Sequence, residues 1–305
     1  MQNVTVLGKG GIKATIIQHS ITEAGKHIIT FELDYPRFIH SELMTHRMFS
    51  RNAASSRAIP VEKMHQHIID TPATPIHWGK NQQGMQAKAE VNNIEQAQTE
   101  WRIAAQQAIL SSKDLLDAGL HKQIANRVTE AFQMMKTIVT STEWDNWYEL
   151  RNHVDAQPEI HELAWCMLQA QTASKPFLVK HNEWHVPYIS RVRDYLNGPV
   201  VYRDSTGCAL AAESALMISA SCCAQVSYRK SDDTFEKAKA IFDRLINSKP
   251  QHASPIEHQA TPMHLDRMIF PVPSQHWEKG ITHVSRDGHY GSGNFIGWLQ
   301  YRQLL

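Results

Sequence analysis

The spacing of apolar residues changes once along this chain, and that change limits its fold more than any other feature. Up to Leu33 the apolar residues are β-branched and interrupted by glycine or polar turns, as in Val4-Thr5-Val6-Leu7, Ala14-Thr15-Ile16-Ile17 and His27-Ile28-Ile29-Thr30-Phe31-Glu32-Leu33. Such runs predict strands. A helical stretch is expected from Phe38 to about Phe49. From residue 94 the steps become three and four: Ile94, Ala97, Trp101, Ala104, Ala105, Ala108 and Ile109 predict a helix that stops at Gly119. Helices are also expected over 120–132, where Leu120, Ile124, Val128 and Phe132 share a face, and around Trp144, Trp147 and Tyr148. Three more are expected around Ile160, Leu163 and Met167, over 209–226 as a buried small-residue helix, and after the capping-box spacing Asp233-Thr234-Phe235-Glu236. Residues 198–202 read as a short strand or turn, and 295–302 as a terminal helix with an aromatic stripe.

Between these elements, 58–90 holds Pro60, Pro72, Pro75 and Gly79 without a sustained period, and reads as an ordered loop or lid because Ile68, Ile69, Ile76 and Trp78 give it something to bury. No composition break divides the 305 residues, so one domain over 1–305 is expected. Net charge is +1, which gives no global attraction to nucleic acid or to an anionic membrane. The first residues lack a basic stretch followed by an apolar one, and no run approaches the roughly 18 apolar residues of a membrane span. Cys166, Cys208, Cys222 and Cys223 contain no C-x-x-C pair. Free thiols and a cytoplasmic location are expected.

The densest polar feature is the segment from His46 to Arg57. Between 37 and 66 stand Arg37, Arg47, Arg51, Arg57 and Lys63 against Glu42 and Glu62, five cations against two anions in a nearly neutral chain. Ser50, Asn52, Ser55 and Ser56 lie among the arginines. Guanidinium forks beside hydroxyls and turn amides are what a phosphate monoester requires, and composition alone equally allows a solvated basic loop. A second feature is geometric. Trp144, Trp147, Tyr148 and Arg151 sit at i, i+3, i+4 and i+7, so Arg151 shares the aromatic face of its helix and needs an acceptor. Glu159, Asp155 or an anionic ligand would each serve. Arg127 borders the Ile124/Val128 face and poses the same question. Metal readings fail on spacing: Pro255 breaks any shared helical face in His252-Ala253-Ser254-Pro255-Ile256-Glu257-His258, and His65 and His67 point apart on a helix. Gly8-Lys9-Gly10-Gly11 has neither the order nor the spacing of a P-loop and reads as a turn between strands.

With these residues in hand, the chain resembles the flavin-dependent thymidylate synthases. Their signature is Arg-His-Arg, seven residues, then Ser, matched here by Thr45-His46-Arg47, seven residues and Ser55, with Ser50, Asn52 and Arg57 in the family's places. Ala125-Asn126-Arg127, Asn146-Trp147-Tyr148-Glu149-Leu150-Arg151 and Asp155-Ala156-Gln157-Pro158-Glu159-Ile160 are similar to its second block. Residues 252–258, preceded by Gln225-Val226-Ser227-Tyr228, are similar to a block the family carries before the arginine motif, so the elements look rearranged along the chain. The departures are Thr45 for the first arginine, Ala53 for a glutamate, and Thr140 and Thr142 for an Asn and an Arg near the flavin.

The resemblance implies an α+β fold of the thymidylate synthase-complementing type, with a mixed or antiparallel sheet and a large helical portion. It implies methylation of dUMP to dTMP, with methylenetetrahydrofolate as carbon donor, FAD as redox carrier and NADPH as reductant. Glu42, Ser55, Ser56, Arg57 and Arg127 would bind the nucleotide, and Arg151 would engage the uracil as the catalytic arginine, favouring ionisation at N3. His46, Arg47, Asn146, His252 and Ser254 would contact flavin, and Ser55 would hold phosphate rather than attack. A homo-oligomer, a tetramer by resemblance, is implied. Two other readings stay open: addition of a different C5 substituent such as hydroxymethyl, and a flavin-free nucleotide-binding protein.

Overall fold

The computed structural model describes residues 4–193, 195, 198–227, 234–264 and 272–305. Its centre is a sheet built on the long hairpin of β2 (Lys13–Ile21) and β3 (His27–Pro36), whose turn closes at Gly25 with φ near +80°. On the far side of β3 lies β5 (Met134–Ser141), and beyond it the short edge strand β4 (Ser50–Ala53). On the other flank, β1 (Thr5–Leu7) pairs with the start of β2 and β6 (Phe177–Leu178) with its end. Only the β2–β6 pairing is parallel.

The two faces of this sheet differ in chemistry. Ile29, Phe31 and Leu33 alternate onto one face and pack with Trp144, Trp147, Ile160, Leu163, Ala164 and Met167 of α5 (Asp145–Arg151), its cap, and α6 (Pro158–Ala173). The other face carries Ser20, Thr30, Glu32 and Thr140. A β-bulge at Ile17 causes this: it shifts the register between Ile16 and Gln18, so Gln18 and Ser20 turn away from the aliphatic face. There a fully buried chain of polar groups runs from Arg191 Nη1 to Ser20 Oγ (2.8 Å), His185 Nδ1 (2.6 Å) and Nε2, Thr30 Oγ1 (2.9 Å), Thr140 Oγ1 (2.7 Å) and His258 Nδ1 (2.8 Å). Because Arg191 can only donate, Ser20 is free to pass its own proton to His185. Burial drives the pKa of His258 down to about 3 and that of His185 well below its usual value, so both rings are neutral.

The helical portion is as large as expected. α3 (Ile94–Asp117) ends ahead of Gly119, at φ +87°, and α7 (Ala212–Ala224) is buried along most of its length against α8 (Phe235–Asn247). Four local expectations are corrected. Instead of a loop or lid throughout 58–90, Val61–Asp70 is a helix, α2, whose Met64 and Ile68 pack on Ala105, Ile109 and Phe132. The stretch from Phe38 to Phe49 is helical only as far as Met44, with a 3-10 turn, Arg37–Ile39, leading into the helix His40–Met44, α1. Residues 120–132 form a short helix, Lys122–Ala125, and a 3-10 segment, Asn126–Phe132, with Ile124 and Val128 exposed. The last helix of the sequence reading is a pair of short strands, Phe295–Ile296 and Trp298–Gln300, because Gly297 at φ +73° turns the chain between them. Helix α8 begins after Thr234, and Asp233 of the expected capping box lies outside the described residues. No described helix is long and apolar enough to cross a membrane.

Candidate functional site

The segment from Glu42 to Arg57 wraps the free edge of the sheet, and its two ends gather different partners. At the first end, Arg51 Nη1 donates to the carbonyls of Met44 (2.8 Å) and His46 (3.1 Å), which ends α1 and fixes the turn into β4. This arginine is structural. His46 is thereby pressed against Phe49, stacked at 5.6 Å, and edge-on to Trp147 at 4.7 Å. Arg151, at the end of α5, reaches the same place. Its Nε donates to His46 Nε2 at 3.1 Å, its Nη1 to Glu42 Oε2 at 3.1 Å and its Nη2 to Thr45 Oγ1 at 3.4 Å. A guanidinium has no lone pair to offer, so His46 carries its proton on Nδ1. Burial, then the charges of Arg151 and Arg51, lower the His46 pKa to about 4.

The partner of Arg151 is therefore Glu42, not Glu159 or Asp155. Glu159 is spent on the backbone N–H of Ile76 and the amide of Gln157, and Asp155 is exposed. The Arg151 side chain keeps 22% of its exposure and that of Glu42 34%, so this ion pair remains open to a ligand.

At the other end of β4 the chain turns through Ser55 to Ala58, closed by the Ala58 N–H on the Ser55 carbonyl at 2.9 Å. The Ser55 hydroxyl accepts the Arg57 N–H (3.3 Å), and the Ser55 N–H donates to Ser227 Oγ (2.9 Å). Ser56 is buried, and its carbonyl accepts Asn126 Nδ2 at 2.9 Å; the same amide reaches the Ile59 carbonyl at 3.4 Å. Asn126 turns inward to serve these carbonyls, Thr129 and Gln133 turn inward to donate to the Asn126 carbonyl, and that rotates Ile124, Arg127 and Val128 outward. Arg127 is thus exposed rather than buried, pairs with Glu130 at 2.9 Å, and sits on the segment bound to the Ser55–Ala58 turn. Arg57 is exposed as well. No hydrogen bond among the described residues joins this set to the Arg151–His46–Glu42 set.

The late block, 252–258, comes back to the same strand. Its helical turn Ser254–Glu257 packs on β4, and Gln300 ties the two together: its Nε2 donates to Ser50 Oγ (3.2 Å), the Glu257 carbonyl (3.2 Å) and Asn294 Oδ1 (2.8 Å). His258 anchors the block to Thr140, and Arg302 pairs with Glu257. Ser227 of the block's lead-in holds Ser55, while Tyr228 lies outside the described residues. Nothing in the sequence marked Asn294 or Gln300 for this role, and Asn126 drew attention only as the neighbour of Arg127.

The residues expected to hold flavin differ in exposure. His46 is buried and already accepts from Arg151, whereas Arg47, Asn146, His252 and Ser254 are exposed. Cavities of about 170 Å³ and about 600 Å³ lie elsewhere, and none of the five lines either. Thr140 is enclosed by Thr30 and His258, and Thr142 accepts the Ile296 N–H at 3.0 Å. Within one chain the residues present do not fit a flavin.

The family model described as thymidylate synthase complementing protein matches residues 12–176, over half of the 305-residue chain. A crystal structure of a UMP/dUMP methylase, PolB from Streptomyces cacaoi, bound with 5-Br dUMP, is similar at 22% identity, covering 48% of this chain and 67% of that one with a TM-score of 0.40. No curated protein matches. The chain belongs to the thymidylate synthase complementing protein family.

Proposed function

We propose that the protein binds dUMP and adds a methyl group at uracil C5, giving dTMP. The observation that carries this reading is the hydrogen bond from Asn126 to the Ser56 carbonyl, which holds the Arg127 segment against the Ser55–Ala58 turn. The 5′-phosphate would lie between the guanidinium groups of Arg57 and Arg127 and take the hydroxyls of Ser55 and Ser56. Charge-assisted donors of this kind are short, strong and selective for a phosphate dianion. Ser55 would bind and orient; its hydrogen bonds among the described residues, to Ser227 and the Arg57 N–H, include no base that would activate it as a nucleophile.

Arg151 would act on the base. Substitution at C5 pushes negative charge onto the uracil ring, and a fixed guanidinium lowers the cost of that charge without reorganising. Its three partners keep it fixed. Neutral His46 accepts from it without adding a competing positive charge, and Glu42 offers a carboxylate for a ring N–H. The set lacks a group that delivers hydride, so a reductant must come from outside these side chains. Methylenetetrahydrofolate as carbon donor, NADPH as reductant and FAD as carrier complete the reaction in this reading. A homo-oligomer, in which a second copy completes the flavin site, belongs to this reading. The exposure of Arg47, Asn146, His252 and Ser254 also favours a second reading, a nucleotide-binding protein without flavin.

Purified protein separates the readings. Saturable binding of dUMP together with a flavin spectrum supports the enzyme, and the product mass from dUMP distinguishes methyl from hydroxymethyl. Binding of dUMP by colourless, inactive protein supports the second reading. Failure to bind dUMP with or without added FAD overturns both.

A further inference from the structure

The cavity of about 600 Å³ contains none of the residues assigned above. It opens where three elements converge: the bulged part of β2, the C-terminal end of α6, and the loop leading into the strand Ser190–Val192. Its size is within the range of small-molecule sites, roughly 300–1,000 Å³.

One wall is apolar, formed by Ile16, Ile17 and Ile189. Ile17 is the bulged residue of β2. Bulges re-aim side chains and are enriched beside binding sites. Tyr188, also on the wall, holds a left-handed backbone with φ +70°. Such a conformation costs a bulky residue about 1–3 kcal/mol and persists only where the surroundings enforce it. Here the Tyr188 hydroxyl donates to Glu32 Oε2 at 3.0 Å and the ring packs beside Ile138 and Cys223.

The polar lining residues include no carboxylate among the described residues. Lys175 lines the cavity, exposed and without a hydrogen bond or ion pair to another described residue. Beside it a relay of three side chains enters from solvent: His27 Nδ1 lies 2.9 Å from His19 Nε2, and His19 Nδ1 lies 3.0 Å from Ser174 Oγ. With both rings neutral, His27 donating to His19 and His19 donating to Ser174 leaves the Ser174 proton free for the cavity. An ammonium and a hydroxyl donor on one side, with aliphatic surface on the other, select an anion attached to an apolar body.

We propose that this cavity is a second binding site, separate from the nucleotide site, for a small organic monoanion with an apolar body such as a medium-chain carboxylate. The carboxylate would meet Lys175 and Ser174, and the chain would lie along Ile16, Ile17 and Ile189.

The test uses the full chain with 1-anilinonaphthalene-8-sulfonate as fluorescent probe, and octanoate, 1-octanol and octylammonium as competitors. One saturable probe site per chain is expected, displaced by octanoate at least tenfold more effectively than by octylammonium. Lys175→Gln should weaken octanoate about tenfold and 1-octanol less than twofold. Ser190→Trp should abolish probe and octanoate binding by filling the mouth. Ala173→Trp, at the exposed end of α6, serves the same purpose should Ser190→Trp fail to fold. dUMP binding should be unchanged in all three variants, which keeps this inference separate from the proposed function. Absence of saturable probe binding, octylammonium competing as well as octanoate, or undiminished octanoate binding in a folded tryptophan variant would each overturn it.

Discussion

Arg151 donates its Nε proton to Nε2 of His46, 3.1 Å away, although both side chains would ordinarily be cations at mildly acidic pH. The arrangement holds because His46 stays neutral down to about pH 4. Removing the guanidinium charge in Arg151→Ala should raise the His46 pKa toward 6.5, measured by NMR titration of the ring protons. Uracil recognition should fall with it, so that dUMP affinity drops tenfold or more, a loss of at least about 1.4 kcal/mol. An unchanged His46 titration would show that the pair does not form in solution.

The proposed phosphate and base contacts lie at opposite ends of β4, and single variants should separate them. Arg57→Ala and Arg127→Ala are expected to weaken dUMP binding about tenfold each while leaving the much weaker binding of deoxyuridine unaltered. Calorimetry with the two ligands reads the difference directly. Equal losses for both ligands would remove these arginines from the phosphate role.

Asn126 is wholly buried and holds the two parts of the phosphate turn together. Asn126→Ala leaves the Ser56 carbonyl without its donor, which costs about 1–3 kcal/mol. A lowered urea midpoint and a lowered dUMP affinity should appear together. Asn126→Asp should be no better, since a carboxylate cannot donate to a carbonyl.

Among the described residues, His19, His27, His40, His46, His65, His185 and His258 all have depressed pKa values, and together they set the acid stability. His19 and His46 titrate near 4 and His258 near 3 in the folded protein, against 6.5 when unfolded. Their neutral forms are favoured by folding, so the stability they contribute is complete above pH 6.5 and is lost as pH falls toward the folded values. Each adds about 1.4 kcal/mol per pH unit of decline inside that window. Urea midpoints measured from pH 7.5 to 4.5 should fall steadily, and His258→Gln should make the slope shallower, although it starts from a less stable protein.

How much of this was legible beforehand depends on whether the signal was local. The strands His27–Pro36 and Met134–Ser141 differ in this respect: the first announced itself by β-branched residues, whereas the second, Met-Met-Lys-Thr-Ile-Val-Thr-Ser, followed what read as a helix. Helix α2 was missed although Val61, Met64, His65 and Ile68 are all buried at i, i+3, i+4 and i+7, because a histidine does not count as apolar. That histidine is in fact inside, paired with Ser112 at 2.9 Å. Gly297 lies within an apolar run of helical length, and only its positive φ in the folded chain reveals a turn. At the candidate site, the sequence drew attention to the segment from Thr45 to Arg57 and to Arg127 and Arg151, and the structure places Arg151 against His46 and Glu42 and the Arg127 segment against the Ser55–Ala58 turn. The burial of Asn126 and the exposure of Arg127 were not legible, since a four-residue strand and a 3-10 segment leave no periodicity to read. The partner of Arg151 was assigned by nearness in sequence, and tertiary packing brought Glu42 instead.

The clasp of Asn294 and Gln300 on Ser50 carries a consequence for how the molecule is made. Some 250 residues separate the edge strand from the side chains that close over it, and at 5–20 residues per second a ribosome needs roughly 10–50 s to supply them. Throughout that interval β4 stands as an unprotected edge, the kind of surface that recruits foreign strands. The emerging polypeptide therefore holds a nearly finished phosphate turn long before it can seal the strand that leads to it, and it should need chaperone cover for that part of its synthesis.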